Sequence, residues 1–240
     1  MAPWWHALID FFFPPRCSFC GENREDKNPA GICSACFGQI RKVAHPRCPR
    51  CGVGFVSDLG EDHLCSDCLG GNGHFTKARA LAHYEGIMPE IISRFKYRGD
   101  SRLAKPLGDL LADYGEPDFS FRDYLLVIPV PLHPRRLRRR GFNQSLLLAR
   151  RISRRYSLPL NFTALRRLRA TAPQTELSGA ERQKNIRGAF AVFKEQTIAE
   201  KSILLIDDVF TTGATVEECA KVLLQAGANR VDVLTLARAR

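Results

Sequence analysis

The sequence contains no run of about 18 apolar residues, which excludes a membrane-spanning helix. Met1 to Phe13 has no basic residue ahead of its apolar stretch, which His6 and Asp10 interrupt and Pro14 and Pro15 end. An export signal needs that basic start, so the expected location is cytoplasmic, with reduced thiols. Apart from Cys219, no cysteine stands outside a C-x-x-C pair, and the eight paired ones all fall between Cys17 and Cys68. A secreted disulfide scaffold carries as many thiols but requires the missing signal. The last absence is charge of one sign: from Tyr124 to Thr175 there is no aspartate, no glutamate and no lysine, yet there are twelve arginines.

A hydrophobic share of 45% excludes general disorder, and 240 residues suffice for a small domain joined to a medium one. The formal net charge is +11, and residues 94–169 account for it, with 18 basic against 6 acidic side chains. The rest of the chain is close to neutral. Arginine offers a planar fork that meets phosphate oxygens two at a time and keeps its proton, so this segment points to phosphate chemistry before it points to a solubilising surface.

Residues 1–75 are rich in Cys, Gly and Pro and poor in long periodic patterns, so that segment needs a staple. Its start, from Trp4 through Phe12, fits a short helix with a broad apolar face. That face packs on the body of the protein in preference to anchoring at a membrane surface, because Lys and Arg are missing from its polar side. A glycine cluster at Leu69 to His74 marks the boundary, and residues 76–240 form the second unit. There, Lys77 to Tyr84 reads as a strand, and Pro89 to Tyr97 and Ser101 to Tyr114 as helices. Tyr124 to Val130 is a strand buried on both faces, followed by an arginine-rich loop and a helix from Asn143 to Tyr156. After a long polar connection over 168–188, Phe190 and Val192 mark a short strand. Ser202 to Ile206 (strand), Asp207 to Gly213 (turn), Thr215 to Ala226 (helix, stopped by Gly227) and Arg230 to Ala237 (strand) make a βαβ unit.

The cysteines form two sets of four: Cys17, Cys20, Cys33 and Cys36, then Cys48, Cys51, Cys65 and Cys68. Two C-x-x-C knuckles complete a tetrahedron around zinc with Zn–S bonds of about 2.3 Å, and four thiolates leave no open position, so two structural Zn2+ ions are expected. A redox role for a single C-x-x-C is the minor alternative. Sequential and cross-braced pairing of the knuckles both satisfy the spacing. His45, His63 and His74 are surface histidines beside so many thiols, and Cys219 is a small packed residue in a helix.

Asp207-Asp-Val-Phe-Thr-Thr-Gly-Ala-Thr215 follows an apolar strand and leads into a helix. A phosphate there meets free backbone N–H groups at Thr211, Thr212, Gly213, Ala214 and Thr215, the threonine hydroxyls and the positive end of the helix dipole. Asp207 and Asp208 repel phosphate but suit a vicinal diol, so the implied ligand is a phosphorylated ribose. This stretch resembles the signature of the type I phosphoribosyltransferases, whose ligand is phosphoribosyl pyrophosphate (PRPP) with Mg2+. The resemblance implies an α/β fold, a parallel sheet flanked by helices and preceded by the small double zinc ribbon.

Between His133 and Ser145 the arginine loop follows the 124–130 strand, so it faces the same crevice as the Asp207 loop. Arg139, Arg140 and the backbone near Gly141 are positioned for the leaving pyrophosphate. Arg135, Arg136 and Arg138 are surplus to that task and open to a polynucleotide backbone. Tyr124, Phe142 and Tyr156 are too few and too buried for base stacking. The pattern Arg140-Gly-Phe-Asn-Gln144, then Arg169-Ala-Thr-Ala-Pro-Gln174, Arg182, Asn185 and Ala189-Phe190, joined to the cysteine pairs and the Asp-Asp motif, is similar to the ComF family, of the GntX-like kind. By that resemblance residues 169–190 hold a mobile loop, with Gln174, Arg182 and Lys184 placed to contact ligand. Members are associated with natural transformation or with use of external DNA. The implied activity is phosphoribosyl transfer, with no acceptor and no catalytic residue supplied. The implied partners are PRPP, single-stranded DNA and proteins of DNA uptake or recombination. The competing reading is a non-catalytic module that senses PRPP or binds single-stranded DNA or a partner.

Overall fold

The structure, a computed structural model, describes residues 13–24, 31–56, 60–71, 73–170 and 184–239. The expected helix from Trp4 to Phe12 lies outside them. Strands β1 (Lys77–His83), β2 (Leu126–Pro129), β5 (Ser202–Phe210) and β6 (Arg230–Arg238) form one parallel sheet in the order β1-β6-β5-β2. These are apolar runs buried on both sides, as a sheet covered on both faces requires. Alternation then sorts the side chains. Leu204 and Ile206 face one core with helices α3 (Met88–Tyr97), α4 (Ala104–Ala112) and α6 (Gln144–Tyr156). Ile203 and Leu205 face the other with helix α7 (Ala214–Gln225) and the antiparallel pair β3 (Leu165–Arg167) and β4 (Phe190–Val192).

Two expectations are corrected. The arginine-rich stretch is not a loop throughout. It contains helix α5 (Pro134–Arg140), started by Pro134 and by the His133 ring, which accepts from the Arg135 N–H at 3.2 Å, and ended by Gly141 at φ +84°. Strand β5 also runs four residues past Ile206, because its pairing with β6 continues through Phe210↔Arg238. Asp207 and Asp208 therefore lie on the strand, and the turn proper begins at Thr211.

The cysteine-rich segment, which includes short helices α1 (Ser34–Gly38) and α2 (Ser66–Leu69), covers the open edge of β1. Lys42 bridges Ala82, and the Ala78 and His83 N–H groups donate to the carbonyls of Arg50 and Arg41. An edge left bare would expose those donors to other chains. Gly52, at φ +69°, comes so close that a Cβ there would meet the Ala78 carbonyl oxygen at 2.6 Å. The segment straddles the edge, with Cys17, Phe19, Ile32 and Cys36 in the first core and Cys48, Cys51 and Phe75 in the second. The buried Arg47 fastens it further, reaching Glu116 at 3.3 Å and Asp118 at 3.2 Å, while Arg79 of β1 pairs with the same Asp118. Burial opposes ionisation of Asp118, but Arg79 and its cationic neighbours hold its carboxyl below the usual range.

The structure decides the pairing of the knuckles. Cys17, Cys20, Cys33 and Cys36 cluster with sulfurs within 4.8 Å of one another, and so do Cys48, Cys51, Cys65 and Cys68. A tetrahedron with Zn–S bonds of about 2.3 Å has edges of about 3.8 Å. The observed Cys20–Cys33 and Cys51–Cys65 separations are 3.8 and 3.6 Å. Backbone N–H groups point at the sulfurs, with Phe19 and Cys33 donating to Cys17 Sγ at 3.4 and 3.3 Å. Although burial opposes it, such donors bring the Cys17 thiol down to about 6. Both clusters thus fit structural Zn2+, arranged sequentially. Metal analysis of the Cys20→Ser/Cys33→Ser double variant is expected to find about one zinc per chain in place of about two. Loss of both ions would indicate cross-braced sites.

Candidate functional site

A crevice of about 620 Å³ opens at the carboxyl ends of β2 and β5. Open parallel sheets place ligands there because the backbone loops diverge at that end. One wall is the β2 exit, Val130 to Leu132. The floor is Asp207 to Phe210, and the far end is Thr211, Gly213, Thr215 and Val216 at the start of α7. Gly213, at φ +79°, sits so close above the Phe210 ring that a Cβ would approach it to 2.6 Å. Only glycine adopts this turn and fits this space. Thr212 is exposed, and Ala214 is buried as the first residue of α7. These two belong to the loop without lining the crevice.

The acidic pair is not bare. Asp208 is buried, forms an ion pair with Lys96 Nζ at 2.7 Å, and accepts from Gln144 Nε2 at 2.7 Å. Asp207 accepts from Ser145 Oγ and from the Asp208 N–H, both at 2.9 Å. Burial, and then the Asp208 charge beside it, push the Asp207 carboxyl up to about 7. Burial alone would lower Lys96, but the Asp208 carboxylate outweighs it and raises the ammonium pKa. Two carboxylates in sequence thus share one tightly held cation, and Asp207 is left as the proton-accepting member.

Opposite stands a wall of guanidinium groups: Arg136, Arg139, Arg140 and Arg167. Arg140 also lies over the Tyr97 ring at 5.1 Å. Desolvation, followed by the charge of Arg136, brings Arg167 down to about 10. Desolvation and then Arg140 likewise lower Arg136. Cations that depress one another across a crevice gain most from an anion placed between them.

Of the arginines read as surplus, Arg136 thus belongs to the crevice, while Arg135 and Arg138 are exposed on α5 outside it. Gly141 lies instead beside an adjoining crevice, lined by Leu137, Phe142, Leu147 and Phe162, that shares Pro131, Leu132 and Arg167 with the first. Lys184 is exposed and does not line the crevice, and Gln174 and Arg182 are outside the described residues. Tyr124 is buried and donates to Asp232 at 2.9 Å, and Cys219 is fully buried.

Sequence reasoning missed Lys96, Arg167, Gln144 and Ser145. The last two carried a usable signal, since Asn143 caps α6 by accepting from the Ser145 N–H and thereby aims the first turn of that helix at the acids. Lys96 carried none, being one basic residue in the last turn of an amphipathic helix. Among the described residues no helix is long and apolar enough to cross a membrane.

Comparison with known proteins agrees with this architecture. Residues 8–69 match the double zinc ribbon domain model, and residues 143–240 match the phosphoribosyl transferase domain model. Competence protein F of Haemophilus influenzae is 33% identical over 237 residues, covering 95% of this chain and 99% of that protein. DNA utilization protein YhgH of Escherichia coli K12 is 34% identical over 212 residues, covering 87% and 90%. Competence protein ComFC of Streptococcus pneumoniae is 30% identical over 211 residues, covering 86% and 87%. With tetrathiolate clusters at one edge of the sheet and a phosphoribosyltransferase-type loop at the end of its central strand, the chain belongs to the ComF family.

Proposed function

We propose that the crevice binds PRPP and that the protein is a phosphoribosyltransferase acting in competence, DNA uptake or the use of external DNA, as the names of its relatives suggest. The observation that carries this reading is the separation of charge within one crevice: a carboxylate pair on the floor, guanidinium groups on one wall, and a helix N-terminus at the far end. PRPP has a matching division. Its 5′-phosphate suits the backbone N–H groups from Thr211 to Thr215, with Gly213 allowing close approach. Its ribose hydroxyls donate to Asp207 and Asp208, and its pyrophosphate lies against Arg136, Arg139 and Arg140. Mg2+ accompanying PRPP would supply further charge neutralisation at the pyrophosphate oxygens.

In the transfer step the bond from C1 to the pyrophosphate oxygen breaks and a bond from C1 to the acceptor forms. The electron pair leaves with pyrophosphate, whose growing negative charge the arginine wall stabilises. Lys96 and Gln144 hold Asp208 in place, and Ser145 orients Asp207. The reading treats residues 1–75 as the metal-stapled module and 76–240 as the transferase unit.

A second reading has its own support, because Arg135 and Arg138 point away from the crevice in a segment free of acids. In it the protein binds single-stranded DNA and PRPP is a sensed ligand. Arg135→Ala/Arg138→Ala would then weaken a steeply salt-dependent DNA affinity while leaving PRPP binding intact.

Isothermal titration is expected to show Mg2+-dependent PRPP binding that falls at least about tenfold in Asp208→Asn. Unchanged affinity would overturn the site assignment. A screen of nucleobase acceptors for pyrophosphate release separates the readings, since only a transferase consumes one. Because the diol needs an ionised Asp207, wild-type affinity should rise from about pH 6 to about pH 8, and this rise should vanish in Asp207→Asn. The raised carboxyl also costs stability as pH increases through the interval between its unfolded and folded values. Ligand-free Asp207→Asn is therefore expected to melt above wild type at about pH 8, with the gap narrowing to less than about half by about pH 5. An equal gap at both pH values would show that Asp207 is not held protonated.

A further inference from the structure

The two tetrathiolate clusters differ in what they touch. The first packs on α3, where Arg94 donates to the carbonyls of Ser18 and Phe19. The second reaches the floor of the crevice. Arg238, near the carboxyl end of β6, donates from Nη2 to Cys51 Sγ at 3.3 Å and lies with its guanidinium 4.2 Å from the centre of the Phe210 ring. Phe210 packs directly under Gly213. Phe75 meets the same ring edge-on at 5.8 Å, and the Arg50 guanidinium lies over Phe75 while donating to the Gly71 carbonyl at 2.7 Å. The chain leaving the second cluster is tied to α7 as well, through the His74 N–H donating to Glu217 Oε1 at 2.7 Å. Glu217 is in the first turn of α7, and its own N–H donates to the Gly213 carbonyl.

Charge makes the Arg238 contact conditional. Its Nε and Nη1 atoms are buried without hydrogen-bond partners, so the cysteine cluster is the counter-charge that its burial relies on. A zinc ion held by four thiolates would carry a net double negative charge, and the Arg238 guanidinium lies against it at Cys51 Sγ. Arg238 is half-buried, so a guanidinium that loses this counter-charge gains by turning toward water, which would uncover the face of Phe210.

We propose that Arg238 is a positioning residue through which the second cysteine cluster, when it holds zinc, keeps Phe210 under Gly213 and so keeps the phosphate loop in its anion-accepting shape. The first cluster has no such role. The inference rests on the PRPP reading for the loop's ligand but not for the coupling itself, which is measurable without ligand.

Hydrogen exchange on the ligand-free protein tests it. In Arg238→Met, which keeps the apolar stem and loses the charge, the amides from Thr211 to Val216 are expected to exchange at least about tenfold faster than in wild type. Zinc content should stay at two per chain. Phe210→Leu should loosen the same amides, which guards against an Arg238 variant that does not fold. Cys20→Ser/Cys33→Ser, which disrupts only the first cluster, should leave them at the wild-type rate. Wild-type exchange in Arg238→Met or Phe210→Leu, or equal loosening in the first-cluster variant, would overturn the coupling. In the same preparations Mg2+-PRPP affinity should fall by about tenfold in Arg238→Met. If wild type takes up no PRPP, the functional reading fails while the exchange rates still judge the coupling.

Discussion

Two adjacent carboxylates at the end of a buried parallel strand repel each other, and much of the molecule is arranged to hold them there. Water is mostly excluded, so the charges need partners from the protein. Helix α3 supplies Lys96 to Asp208, and the first turn of helix α6 supplies Gln144 and Ser145. These contacts bind two segments distant in sequence to one point on β5, and they place the acids in the floor of the crevice and not at its mouth. A chain optimised for stability alone would replace this pair with apolar residues.

The arginines on the crevice wall extend the same logic to the opposite sign. The charge of Arg136 lowers Arg167, as the charge of Asp208 raises Asp207, and both sets line one opening. A ligand with negative phosphates at one end and hydroxyl donors at the other relieves both.

The cysteine module answers a different constraint. A parallel sheet whose first strand lies at an edge exposes that strand's donors, and a segment as short as this one has little core to call its own. Metal-held knuckles give it enough rigidity to lie along β1 and complete its hydrogen bonds. Because it straddles the edge, one cluster joins each core. That asymmetry separates a cluster that supports a helix from one that abuts the crevice floor.

Much of this was legible in the residues. The apolar runs at 124–130 and 202–206 marked buried strands because a doubly covered sheet tolerates little else. The Asp-Asp and Thr-Thr-Gly pattern marked a strand-turn-helix of phosphoribosyltransferase type, and the cysteine spacing marked two clusters that fit zinc. Each signal is local, since a strand, a turn or a knuckle is made by neighbours in the chain. What failed was either helical competition or distance. The stretch after Pro134 looked like a loop because its side chains are nearly all cationic, yet proline, a histidine cap and a terminal glycine suffice for two turns of helix. The sequence by itself determined the kinds of group at hand: cysteine pairs spaced to fit zinc, two adjacent acids at the end of an apolar strand, and a run of arginines free of acids. Only the tertiary structure decided which knuckles share a metal, which arginines enter the crevice, and that Lys96 and Arg167 belong to it. Those are meetings between segments tens of residues apart, and they are set by how the helices and the β3–β4 pair pack on the sheet.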